Sequence, residues 1–165
     1  MKAKIKHYAK ELLFFLITMT IFANVLSLYK SQDLTKAPLT IKELKLINNQ
    51  TYIFPEEKPL LIHFWATWCP TCKLEAPNIE FISKHFNVVT IAVDSGSDYE
   101  IKNYLDEKGY DFLVVNDSTK TISEQFKIAG YPTTFIYNSD RELLFSEVGY
   151  TSIIGLYLRM WWASF

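Results

Sequence analysis

The sequence predicts an α/β domain in which helices cover both faces of one central mixed sheet. Three observations carry this reading. Strand and helix signals alternate along most of the chain. The main strand runs are continuous in apolar residues, as strands buried on both faces are. The last two strand runs are joined through Asn138-Ser139-Asp140, a short polar stretch suited to antiparallel neighbours. The order β-α-β-α-β-α-β-β-α needs parallel crossovers in its first half and an antiparallel pair at its end.

Each element has a local reason. Lys58-Pro59 opens the first strand, Leu60 to Ala66, and a helical stretch follows from about Pro70 to His85. Val88 to Val93 is a second, β-branched strand. Asp98 to Lys108 reads as an amphipathic helix, with Asp98 as its N-cap and Gly109 as its stop. Phe112 to Val115 is a short strand and Thr119 to Lys127 a short helix. Thr133 to Tyr137 and Leu143 to Val148 form the closing strand pair, and Thr151 caps a final helix. That helix is unusually apolar and reads as packing on the sheet. Trp161, Trp162 and Phe165 are the residues left to reach a membrane interface or a partner.

Composition narrows the class. A chain of 165 residues with 49% apolar and 21% charged residues suits one globular domain and excludes a disordered one. A formal charge of -1 gives no sign of nucleic-acid binding. That charge is an average. Residues 1–30 hold five lysines and one glutamate, which leaves 12 basic and 17 acidic residues for the remainder. Lys2, Lys4, Lys6 and Lys10 flank an uncharged run of 18 residues, Leu12 to Tyr29. As a helix this run spans about 27 Å, close to the ~30 Å hydrocarbon core. Residues 1–30 therefore read as a membrane anchor, 31–38 as a linker and 39–165 as the domain. The basic flank places the N-terminus in the cytoplasm and the domain on the far side of the membrane. A cleaved signal peptide and a buried soluble helix are the alternatives, though Ala23-Asn24-Val25 and Ser27-Leu28-Tyr29 are poor cleavage sites.

The two cysteines carry the chemistry. They are too few for a multi-disulfide scaffold or a four-cysteine zinc site. Both lie in one tetrapeptide, Cys69-Pro70-Thr71-Cys72, directly after a buried strand and at the start of a helix. A helix N-terminus offers free N–H groups and partial positive charge, which favour thiolate over thiol. Pro70 is tolerated in the first turn. Cys69 is expected to be the exposed nucleophile, and Cys72, one turn on and facing inward, the resolving thiol. The same pair has other readings: half of a zinc site, a structural staple, or a Cu(I) ligand pair.

Phe64 to Pro77, FWATWCPTCKLEAP, resembles the active-site signature of the thioredoxin superfamily. More narrowly it resembles the membrane-anchored TlpA/ResA/CcmG-like branch, and most nearly the ScsD-like protein disulfide oxidoreductases. The resemblance covers about residues 38–165. It implies a thioredoxin fold with a helix and strand inserted at Asp94 to Asp117. It makes Cys69–Cys72 the redox-active disulfide and Trp68 the aromatic that shields the nucleophile. Pro77 becomes the proline that kinks the active-site helix, the alternative being an early helix end. Glu75 matches a glutamate that tunes the thiols and assists proton transfer, with an ordinary solvated glutamate as the plainer reading. Tyr131-Pro132-Thr133 matches the cis-proline loop that pairs with substrate backbone. Trp68, Pro70, Tyr131 and Pro132 are thus the expected substrate-binding residues. His63 departs from the family, which has a buried acid or an asparagine there; it reads as a core residue or a proton relay to Cys72. Gly130-Tyr131-Pro132-Thr133 also departs from the Gly-Ala-Pro-Glu loop of cytochrome-c-maturation reductases.

The resemblance implies a membrane-tethered, periplasmic thiol–disulfide oxidoreductase, by analogy a reductase of protein disulfides. It would have no bound cofactor or metal and would draw electrons from a DsbD-like or ScsB-like transmembrane protein. Reduction of apocytochrome c, and Cu(I) capture without turnover, are the alternatives.

Overall fold

The structure, a computed structural model, describes residues 7, 8, 10–15, 17–19, 21, 22, 25, 34 and 38–165. The 31–38 linker lies outside the described residues apart from Leu34 and Pro38, as do Lys2, Lys4 and Lys6 of the basic flank. The described residues between 7 and 25 are helical. Among the described residues, no helix is long and apolar enough to cross a membrane.

Five strands form the central sheet. β3 (Leu60–Trp65) is buried along its whole length and lies in the middle. β4 (Asn87–Val93) runs parallel to it on one side, and β5 (Leu113–Asp117) runs parallel to β4 at the edge. On the other side β6 (Thr133–Tyr137) and β7 (Leu143–Val148) are antiparallel. The order is β5-β4-β3-β6-β7. A separate two-stranded ladder, β1 (Glu43–Lys45) with β2 (Thr51–Ile53), precedes them. Nothing in the sequence reading anticipated it, because three-residue strands are too short to show a period. It forms because Leu44 is turned into the core between exposed Glu43 and Lys45.

Two apolar layers sandwich the sheet. One is built by Leu61, Trp65, Val88, Ala92 and Ile136 against α1 (Pro70–Ser83), α2 (Asp98–Lys108) and α4 (Ile153–Trp162). The other packs Leu60, Ile62, Phe64 and Phe135 under Phe126, which follows α3 (Thr121–Gln125), together with Leu34, Leu39, Leu44 and Phe54. Phe64, Phe126 and Phe135 meet there at 5.0–5.8 Å between ring centroids. Helices therefore cover both faces, three on one and the short α3 on the other.

The caps correct two expectations. Ser97, not Asp98, caps α2: its Oγ accepts the Glu100 N–H while Glu100 Oε2 accepts the Ser97 N–H at 2.7 Å, a reciprocal capping box. Asp98 is the first helical residue and favours the positive end of the helix dipole. Gly109 ends α2 with φ 68, a conformation that suits glycine. Ser152, not Thr151, caps α4 through the Gly155 N–H. The short α3 has no side-chain cap at its own start; instead Asp117 accepts the N–H groups of Ile122 and Ser123.

Packing of α4 differs from expectation. Only Leu156, Met160 and the following Ala163 are buried. Ile154, Leu158, Trp161, Trp162 and Phe165 face outward. The helix touches the domain along one narrow stripe although it is apolar all round. The contrast is measurable by urea denaturation of the oxidised protein. Leu156→Ala, at a fully buried position, is expected to destabilise by ~2–5 kcal/mol. Ile154→Ser, at a position 69% exposed, is expected to change stability by no more than ~0.5 kcal/mol.

Candidate active site

The site grows from the junction between β3 and α1. Beyond Trp65 the chain turns over Ala66 to Trp68, and Cys69 takes an extended backbone as the N-cap of α1. Its Sγ accepts the Cys72 N–H at 3.2 Å, filling the capping role usually given to a hydroxyl or carboxylate oxygen. Pro70 supplies the first turn, where no N–H is needed. Thr67 N–H donates to Ser95 Oγ at 3.0 Å, and Ser95 Oγ donates to the Val93 carbonyl, so the end of β4 holds the turn. Pro77 lies inside α1, which continues to Ser83; the proline does not end the helix.

Cys69 and Cys72 form a disulfide with 5.3 Å between their Cα atoms. Both are largely covered: Cys69 is 6% exposed and Cys72 2%. The expectation of an exposed Cys69 is therefore corrected. The Tyr131 carbonyl lies 3.8 Å from Cys69 Sγ, and the Trp68 and Tyr131 rings stand edge to face at 5.8 Å. Together they roof the disulfide. Trp68 itself is exposed, and its indole N–H donates to the Asp94 carbonyl at 2.9 Å.

Tyr131–Pro132 is a cis peptide at the entry to β6. The Pro132 carbonyl accepts the Gly149 N–H at 2.8 Å, and Gly149 has φ 102. Asn78 Nδ2 donates to the Thr151 carbonyl at 3.0 Å and to the Tyr150 hydroxyl at 3.2 Å. These bonds bring the 149–151 loop against both the Pro132 turn and α1. Asn78 and Gly149 were missed by sequence reading. Gly149 carried a signal, a glycine between a strand and a capping Ser/Thr pair; Asn78 carried none.

Two titratable side chains buried on this side of the sheet, Glu75 and His63, bear on the site. Glu75, one turn after Cys72 on α1, is fully buried, which excludes the solvated reading. Its Oε1 accepts the Thr151 N–H at 3.1 Å, and its Oε2 has no partner. Burial pushes its carboxyl up to about 8; Glu147 adds to the rise and the Thr151 N–H opposes it. His63 shares the face of Leu61 and Trp65, and its Nδ1 lies 2.9 Å from Thr134 Oγ1. Burial lowers its imidazole to about 3, so it is neutral.

A paired, helix-capping dithiol or disulfide on this fold can exchange with another thiol or disulfide, with a neutral carboxyl beneath it to move a proton. The fold and this pair define the class, a thioredoxin-fold disulfide oxidoreductase. The chain belongs to the AhpC/TSA family, whose model matches residues 32–146. A thioredoxin-like protein of Haemophilus influenzae is 29% identical over 98% of both chains. Thiol-disulfide oxidoreductase ResA of Bacillus subtilis is 32% identical over 53% of this chain and 51% of its own length. Among solved structures, StoA from Bacillus subtilis superposes with a TM-score of 0.64 at 23% identity, covering 74% of this chain and 96% of StoA.

The buried pair sets a pH signature. Glu75 holds a proton in the fold up to about 8 that the unfolded chain loses near 4.5, so its contribution to stability falls as pH rises through that window. His63 refuses a proton down to about 3 that the unfolded chain accepts near 6.5, so its contribution falls as pH drops. The two slopes oppose each other between 4.5 and 6.5. Glu75→Gln is expected to remove a loss of up to ~1.4 kcal/mol per pH unit between pH 6.5 and 8. His63→Asn is expected to flatten the fall below pH 4.5. Denaturation midpoints across pH check both; an unchanged slope in either variant counts against that assignment.

Proposed function

We propose that this disulfide oxidoreductase is a membrane-tethered, extracytoplasmic reductase of protein disulfides. The observation that carries the chemistry is the Cys69–Cys72 pair at the N-terminus of α1, beside the Tyr131–Pro132 turn and one helical turn from the partnerless Glu75 oxygen. Starting from the dithiol, the Cys69 thiolate attacks one sulfur of a partner disulfide. A mixed disulfide forms and one partner thiolate leaves. Cys72, losing its proton, then attacks Cys69 Sγ; the Cys69–Cys72 disulfide forms and the second partner thiolate leaves. Two electrons have passed to the partner. Glu75, poised near 8, exchanges the Cys72 proton. Trp68, Pro70, Tyr131 and Pro132 frame the sulfurs and form the docking surface for the partner's backbone. A DsbD-like or ScsB-like transmembrane protein returns the electrons.

Tethering is supported by the uncharged run from Leu12 to Tyr29 behind a lysine-rich start. The described side chains of that run, among them Leu12, Phe14, Phe15 and Phe22, are exposed.

A Cys72→Ser variant is expected to accumulate partner proteins on Cys69 as mixed disulfides released by dithiothreitol, whereas Cys69→Ser accumulates none. Recovery of no conjugate from Cys72→Ser would falsify the exchange reading. The Cys69/Cys72 couple is expected near the reducing end for this fold, about −270 mV. A measured potential near −120 mV reverses the proposed direction.

A further inference from the structure

We propose that the C-terminal end of α4 is a foot that rests in the membrane interface and holds the domain with its disulfide pointing away from the bilayer. This rests on the tethered reading above. Soluble domains seldom expose a contiguous apolar patch without a use for it. Here Trp162 is 65% exposed and Phe165 92%, next to outward-facing Trp161 and Leu158. No acidic residue occurs between Ser152 and Phe165. The single charge, Arg159, turns back onto Glu147 at 2.6 Å and over the Phe145 ring. The outer face is therefore uncharged and rich in tryptophan, the composition that settles at headgroup level.

Topology puts this face where the tether is. β3 runs from Leu60 to Trp65, about 20 Å, and the cysteines follow its far end. At its near end Leu60 pairs with Tyr137 and with Asn87, so the 138–142 loop lies at that pole. Leu39 N–H donates to the Arg141 carbonyl there at 3.0 Å, and Leu34 is buried in the adjoining core with Leu60. The chain thus enters at the near pole. Ser164 lines a cavity with Lys58, Pro59, Lys84 and Asn87, which places the end of α4 at the same pole. Four residues separate Tyr29 from Leu34. Such a stretch reaches at most about 18 Å, which keeps Leu34 and the core layer it packs in close to the membrane surface. Lys58 borders the foot and suits anionic headgroups, beside Glu57 and a Lys84 already paired with Glu80 at 2.9 Å.

The test uses the full chain in vesicles of phosphatidylethanolamine and phosphatidylglycerol with brominated acyl chains. Brominated lipid is expected to quench tryptophan emission, and Trp161→Phe/Trp162→Phe is expected to cut that quenching at least twofold while Trp68 stays open to aqueous acrylamide. Unaltered disulfide exchange by the variant in detergent shows that it is folded. Vesicle-bound protein with equal quenching in both forms overturns the foot and leaves the anchor standing. Protection of the two tryptophans from acrylamide without lipid quenching assigns the face to a second copy or a protein partner, and overturns it too. A chain that does not float with vesicles refutes the tethered reading and the foot together.

Discussion

A strand buried on both faces must hand its chain to a helix start without stranding polar groups, and the β3–α1 junction meets that constraint with sulfur. The first N–H groups of any helix lack partners inside the helix. Here Cys69 Sγ takes one of them and Ser95 Oγ takes the N–H of Thr67 just before. The cysteine that caps the helix is also the one nearest the Tyr131 carbonyl. Structural satisfaction and chemical reactivity therefore fall on the same atom, because a group that accepts a helix N–H has its negative charge stabilised.

Beneath the junction the fold tolerates features that cost stability. A buried carboxyl with one unpartnered oxygen and a buried neutral imidazole both depart from an apolar core. Their titrations pull in opposite directions between pH 4.5 and 6.5, so their summed penalty is nearly independent of pH there. Glu75 is anchored from outside its helix, by the Thr151 N–H, and Asn78 holds the Thr151 carbonyl. The loop that leads into α4 is thus tied into the site's second layer from both sides.

The molecule also places two features at opposite ends of one strand. The far end of β3 carries the disulfide and the Tyr131–Pro132 turn; the near end carries the chain entry and the aromatic end of α4. Parallel β3, β4 and β5 start together at one pole and end together at the other, so this polarity comes from the α/β architecture.

Much of this was legible in the chain itself. Buried strands announced themselves as unbroken apolar runs, and the tetrapeptide Cys69 to Cys72 named its own chemistry by following one of them. Those signals are local, since a strand's burial and a helix's first turn are written in adjacent residues. Other features joined residues far apart in sequence. Whether Glu75 is solvated depended on Thr151, 76 positions away, closing over it. Whether Cys69 is exposed depended on Tyr131, and the caps at Ser97 and Ser152 were settled by backbone geometry among adjacent polar candidates. The apolar C-terminal helix reads alike whether it is buried or bare. Only the packed sheet, which has room for one stripe of it, decided that its tryptophans face outward.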